Sequence, residues 1–110
     1  SDDMLKVGGI YVSPTEVENT LVSHEAVLEA AVVGRADQAG LIKPEAFITL
    51  KPGKNNEPGL DEEIKKYVRS HIAPYKYPRW INIVNDLPKT ATGKIQRYKL
   101  RQTTSKKEEV

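Results

Sequence analysis

The chain reads as an α+β domain: a small sheet of about three strands, two main helices and a hairpin at the N-terminal end. Three observations predict it. A Gly-Gly pair lies between two short apolar runs near the start, the signature of a two-residue hairpin turn with positive φ at both central positions. Two segments carry apolar residues at helical spacing, each behind a recognisable start signal. Three further runs are apolar and partly β-branched, too short for helices, with Gly and Pro near their boundaries.

Taken in order, residues 4–12 form the hairpin, with Gly8-Gly9 as its turn. The first helix begins at Ser13, a good N-cap, followed by Pro14 at the first helical position and by Glu16, which completes a capping box. Val12 and Val17 fall where a hydrophobic staple closes, and Val17 and Leu21 extend the buried stripe. The segment Ser13-Pro14-Thr15-Glu16-Val17-Glu18 thus has a structural reason to exist, and Glu16 and Glu18 are assigned no chemistry. Residues 28–33 and 46–50 are strands, and the ten residues from Arg35 to Pro44 between them exceed a tight hairpin. Residues 51–59 are a Pro- and Gly-containing surface loop. A second amphipathic helix covers about 61–73, with Ile64, Tyr67, Val68, His71 and Ile72 on one stripe, acids in its first turn and Pro74 as its stop. On that stripe His71 reads as a packed residue. A third strand, 80–84, leads into the loop that follows.

Composition bounds the rest. The 110 residues make one domain with a modest core. Residues 1–102 form that domain, and 103–110, polar and without periodicity, form a disordered tail. With no cysteine there are no disulfides and no thiolate metal sites. The two histidines, His24 and His71, fall on separate predicted helical segments, so no metal constellation is expected. No apolar run approaches the roughly 18 residues that a membrane span needs, and no signal-peptide pattern is visible. The expectation is a cytoplasmic protein without membrane or nucleic-acid partners. The net charge of +2 is nearly balanced, although residues 65–101 are rich in Lys and Arg. Such a half either attracts an anionic ligand or is a solvated face.

The most informative segment is Pro88-Lys89-Thr90-Ala91-Thr92-Gly93-Lys94. Proline stops regular structure, the threonines offer local hydroxyl hydrogen bonds and glycine allows a tight turn. Lys94 is thereby placed at a loop-to-element junction, before the basic, helix-prone 96–101. An ammonium so placed suits delivery into a cleft that another domain supplies. Lys89 reads as a surface or loop-anchoring residue.

This loop and the N-terminal Ser1-Asp2-Asp3-Met4-Leu5-Lys6-Val7-Gly8-Gly9-Ile10-Tyr11-Val12-Ser13-Pro14-Thr15-Glu16-Val17-Glu18 resemble the two C-terminal signatures of the acyl-adenylate-forming enzymes, and Gly34-Arg35-Ala36-Asp37 adds to the likeness. The wording around Lys6–Tyr11 and Lys94–Arg97 is most similar to the benzoate–CoA ligase branch. The resemblance covers nearly the whole chain. It implies the small, mobile C-terminal domain of a larger ligase, inactive alone, working with an N-terminal domain of the same chain.

What the resemblance implies chemically is a two-step ligation of an aromatic carboxylate. The acid displaces pyrophosphate from ATP, with Mg2+, and the thiol of CoA then displaces AMP. Lys94 matches the lysine that contacts carboxylate and phosphate in the first step. Gly9 matches a glycine lining the pantetheine path. Asp2 matches the hinge about which the domain rotates. Tyr75, Lys76 and Arg79, with Arg69 one turn earlier, match the segment that meets the nucleotide end of CoA. Related synthetases are acetylated on the residue matching Lys94, which implies a protein lysine acetyltransferase and deacetylase as partners. Two alternatives stay open at this point: the small domain of another adenylate-forming enzyme, such as a fatty acyl-CoA synthetase or peptide-synthetase adenylation domain, and a stand-alone basic binding module.

Overall fold

The computed structural model describes residues 4–101, so Asp2 and the 103–110 tail lie outside the described residues. Strands β1 (Leu5–Val7) and β2 (Ile10–Val12) pair antiparallel around Gly8 and Gly9. Both glycines have positive φ, 57° and 84°, as a two-residue turn matched to strand twist demands. Helix α1 (Pro14–Val22) follows, its first turn closed by the Glu16 N–H donating to Ser13 Oγ at 3.3 Å. The reciprocal half of the expected capping box is replaced: both oxygens of Glu16 accept from Lys76 Nζ, at 2.9 and 3.1 Å. Val12 and Val17 are fully buried in one core, consistent with the staple.

The main sheet has the order β3-β4-β5, with β3 Val27–Ala36, β4 Ile42–Leu50 and β5 Trp80–Ile83. Strands β3 and β4 are antiparallel and longer than the sequence suggested, running in continuous register from Glu29↔Thr49 to Ala36↔Ile42. The expected ten-residue connection is therefore a hairpin whose turn is only residues 37–41. Asp37 makes the short turn possible. Its Oδ1 accepts the N–H groups of Ala39 and Leu41 at 2.9 and 3.0 Å, and its Oδ2 accepts from Lys43 Nζ at 2.8 Å. Strand β5 pairs parallel with β4, which requires the crossover supplied by helix α2 (Leu60–Arg69).

Helix α2 stops four residues before the expected end. Ser70 Oγ donates to the Tyr67 carbonyl at 2.7 Å, and His71 Nδ1 sits 2.6 Å from the same oxygen. These local side-chain bonds compete with continued helix. Pro74 disfavours helical dihedrals at Ala73, whose ψ is 144°. His71 consequently leaves the buried stripe and is exposed, tilted against the Tyr67 ring. His24 also lies outside helix, in the turn after α1. The expected histidine placements are thus both corrected. A 3-10 turn, Pro74–Lys76, leads to β5, and residues 97–101 form a third helical segment, α3.

Both faces of the main sheet are covered. On one, Val27, Ala30 and Val32 of β3 and Ala46 and Ile48 of β4 pack with Val12, Val17, Leu21, Ile64 and Val68 from the hairpin and helices. On the other, Ala31, Val33 and Phe47 meet Leu87 and Leu100, with Val84 and Ile95 at the margin. Residue alternation along β3 divides the two clusters, which explains why its sequence is apolar at consecutive positions.

Candidate functional site

The loop carrying Lys94 is itself a small hairpin. Lys89 and Ile95 form an antiparallel bridge, and the Gln96 N–H donates to the Pro88 carbonyl at 2.8 Å. Inside it the Thr90 N–H donates to Lys94 O at 2.8 Å, the Gly93 N–H to Thr90 O at 2.9 Å, and the Lys94 N–H to Thr90 Oγ1 at 3.1 Å. Gly93 supplies the left-handed step, φ 89°, that closes the turn. Each residue type that marked this segment in the sequence thus has a bond or a dihedral to account for it. Leu87 and Ile95 root the loop in the second core cluster, and Lys94 stands exposed at its end.

Lys89 points back to the domain. Its ammonium lies 2.8 Å from Glu29 Oε2 and 3.4 Å from Asp86 Oδ1, and the bond to Glu29 raises its pKa above the ordinary lysine value. It anchors the loop, as the sequence reading expected. Beyond the loop, Arg97 makes a two-pronged contact with Glu18 of α1. Nε donates to Oε2 at 2.8 Å, and a terminal guanidinium N–H reaches Oε1. The same Glu18 carboxylate accepts the Val32 backbone N–H at 2.8 Å, at the outer edge of the sheet. Sequence reasoning gave Glu18 no role beyond its helix. Its partner lies 79 positions away, and nothing local in the sequence marks the pair.

Gly9 sits at the exposed tip of the first hairpin, whose roots Val7 and Val12 belong to the first core cluster. A side-chain carbon built on Gly9 would meet nothing within 4 Å, so within this domain only its positive φ calls for glycine. The Lys94 loop and the Gly9 turn are therefore rooted on opposite faces of the main sheet.

The segment after α2 divides in two. Arg69 and Arg79 both lie against the ring of Tyr77, at 5.1 and 5.3 Å from its centre, and so form one cationic-aromatic group. Tyr77 was not among the candidates, and it is the residue that gathers the other two. Lys76 is turned away into its ion pair with Glu16, which raises its pKa, while Tyr75 is exposed nearby. Much of the basic character of residues 65–101 is engaged in the same manner, since Lys65, Lys76, Lys89 and Arg97 all meet carboxylates. Among the described residues no group of three or more His, Cys, Asp or Glu could hold a metal, and no helix is long and apolar enough to cross a membrane.

The domain is thus α+β with a flanking hairpin, and it presents Lys94 exposed at the end of a hydrogen-bonded turn. Residues 16–94 match the family model of the AMP-binding enzyme C-terminal domain, and the chain belongs to that family. It is 67% identical over 101 residues to a benzoate–CoA ligase of Thauera aromatica, covering 92% of this chain and 19% of the relative. It is 56% identical over 105 residues to a 4-hydroxybenzoate–CoA/benzoate–CoA ligase of Rhodopseudomonas palustris, covering 94% and 20%. The anthranilate–CoA ligase AuaEII, solved with anthranoyl-AMP, superposes with a TM-score of 0.88 at 58% identity, covering 93% of this chain and 20% of that one. The chain thus spans about a fifth of the length of these relatives.

Proposed function

We propose that this chain is the mobile C-terminal domain of a cytoplasmic, ATP-dependent aryl-acid–CoA ligase. In the first half-reaction a carboxylate oxygen of the aromatic acid attacks the α-phosphorus of ATP. A bond forms between them, the bond to the bridging oxygen breaks, and pyrophosphate leaves with the electron pair. Two anions must approach, and Lys94 is the cation that meets both. In the second, the thiolate of CoA attacks the acyl carbon, AMP departs, and a thioester remains. ATP brings Mg2+ with it, and among the described residues no group of three or more His, Cys, Asp or Glu could hold that ion.

Roles divide by face. Lys94 serves adenylation. Gly9 lies along the pantetheine path, and the Arg69–Tyr77–Arg79 group meets the nucleotide end of CoA, its guanidinium groups suited to phosphate and its ring to adenine. Tyr75 flanks that end and Lys76 contributes only by leaving Glu16. Asp2 is the hinge. The rotation of the domain between two poses would bring first one face and then the other to the reacting acyl group.

The observation that carries this reading is the ordered turn of residues 88–96, which holds Lys94 exposed in a domain of this family. In the full-length ligase, Lys94→Ala is expected to lower acyl-adenylate formation by roughly 10²–10³-fold while thioester formation from supplied acyl-AMP persists. Equal loss in the two half-reactions would overturn the division. The exposed ammonium is also the group that a protein lysine acetyltransferase would modify, cancelling its charge. Stoichiometric acetylation of Lys94 should reproduce the Lys94→Ala phenotype, and full adenylation by the acetylated enzyme would reject that regulation.

A further inference from the structure

We infer that the Glu18–Arg97 clasp is a positioning device for Lys94, so that α1 sets where the adenylation lysine stands. The inference rests on the role proposed above for Lys94 and adds residues that carry it out. Arg97 lies three residues beyond Lys94, at the start of α3. Its guanidinium meets both oxygens of Glu18, the fork-to-fork geometry in which neither partner swivels freely. Glu18 is 8% exposed, and its Oε2 is held in turn by the Val32 N–H of edge strand β3. The frame behind Lys94 is thus main chain of the central sheet, reached through one carboxylate. At the opposite end of the loop, Lys89 is tied to Glu29, again on β3. Both ends of the Lys94 turn are pinned to the same strand, leaving only its tip and the Lys94 side chain free to project.

This explains why an acid of α1 is buried on a surface where solvent would hold it at no cost. Burial of a carboxylate is unfavourable unless charge and hydrogen bonds compensate, and here three donors do so. The effect on chemistry follows from distance. A lysine that must meet a carboxylate and a phosphate together loses about 10²-fold for a displacement near 1 Å. Arg97 and Glu18 act on each other and on β3, and are positioning residues.

The test uses the full-length ligase and compares Arg97→Ala, Arg97→Lys, Glu18→Gln, Lys94→Ala and the Lys94→Ala/Arg97→Ala pair. Adenylation is followed by pyrophosphate exchange, thioesterification from supplied acyl-AMP and CoA, and folding by thermal melts. Arg97→Ala is expected to lower the kcat of adenylation by roughly 10- to 100-fold, with KM for ATP and acid changed less than about twofold. Thioesterification should stay within about twofold, and Arg97→Lys, which keeps the charge without the fork, should fall between. Glu18→Gln retains an acceptor for Val32 and keeps the question open to measurement should Arg97→Ala fold poorly. Because Arg97 acts through Lys94, the double variant should lose no more than Lys94→Ala alone. Additive losses, equal losses in both half-reactions, or normal adenylation by folded Arg97→Ala and Glu18→Gln would each overturn the inference. Normal adenylation by Lys94→Ala would instead overturn the function proposed for the domain.

Discussion

Lys94 and Lys89 stand five positions apart in one turn, yet their surroundings differ. Lys89 is fixed by Glu29 and Asp86, whereas the Lys94 main chain is fixed and its side chain is presented outward. The sequence carried this distinction only through family likeness, because a Gly-Lys pair in a loop has many bland precedents. Gly9 poses the residue-scale question in sharper form. Its φ of 84° makes any side chain strained, at about 1 kcal/mol, but the space around it within the domain is open. Two effects should therefore separate. Gly9→Ala should lower stability slightly through φ alone. Gly9→Leu in the full-length ligase should in addition cut thioesterification from supplied acyl-AMP by at least about 10-fold, leaving adenylation nearly intact. If Gly9→Ala and Gly9→Leu behave alike in both half-reactions, the turn alone explains the glycine.

At the scale of elements, the departures from the sequence expectation share a cause: polar side chains that fold back on nearby main chain. Ser70 and His71 end α2 early, and Asp37 tightens the β3–β4 turn so that both strands extend. Hydrophobic periodicity does not register such contacts. Arg35 and Lys43 read as connection, and Glu45 falls just before the expected strand, because charged residues are poor strand markers. Glu45 is in fact fully buried, bonded to Arg35 and Asn82, with Arg35 stacked over Trp80 at 4.3 Å. Asp37 gives the turn a pH signature. The hydrogen bond from Lys43, then that from Leu41, lowers its pKa below the ordinary carboxylate value. Its stabilising contribution is complete above about pH 4 and is lost as the pH falls through the lowered folded value. Wild-type protein should melt above Asp37→Asn at neutral pH, and the gap in Tm should close toward pH 2. A gap independent of pH would show that the Lys43 pair contributes nothing.

For the molecule as a whole, β4 is the central strand and Ile48 lies fully buried between β3, β5 and the helical layer. Ile48→Ala should cost about 2–5 kcal/mol, read as a lower denaturant midpoint with an unchanged slope. A change under 1 kcal/mol would mean that the layer collapses to fill the space. The sequence by itself determined the fold class, the hairpin, the start of α1, the existence of α2 and the turn bearing Lys94. Each of these depends on contacts within a few residues: paired glycines, a capping serine before proline, a 3.6-residue stripe, a threonine bonded four positions on. Only the tertiary structure decided that β5 lies parallel beside β4, that the Lys94 turn and the Gly9 turn root on opposite faces, that Tyr77 gathers Arg69 and Arg79, and that Glu18 receives Arg97. Those arrangements join residues separated by tens of positions. Which acid meets which base across the sheet is settled when two apolar faces of β3 are buried at once, and no local pattern in the chain records that outcome.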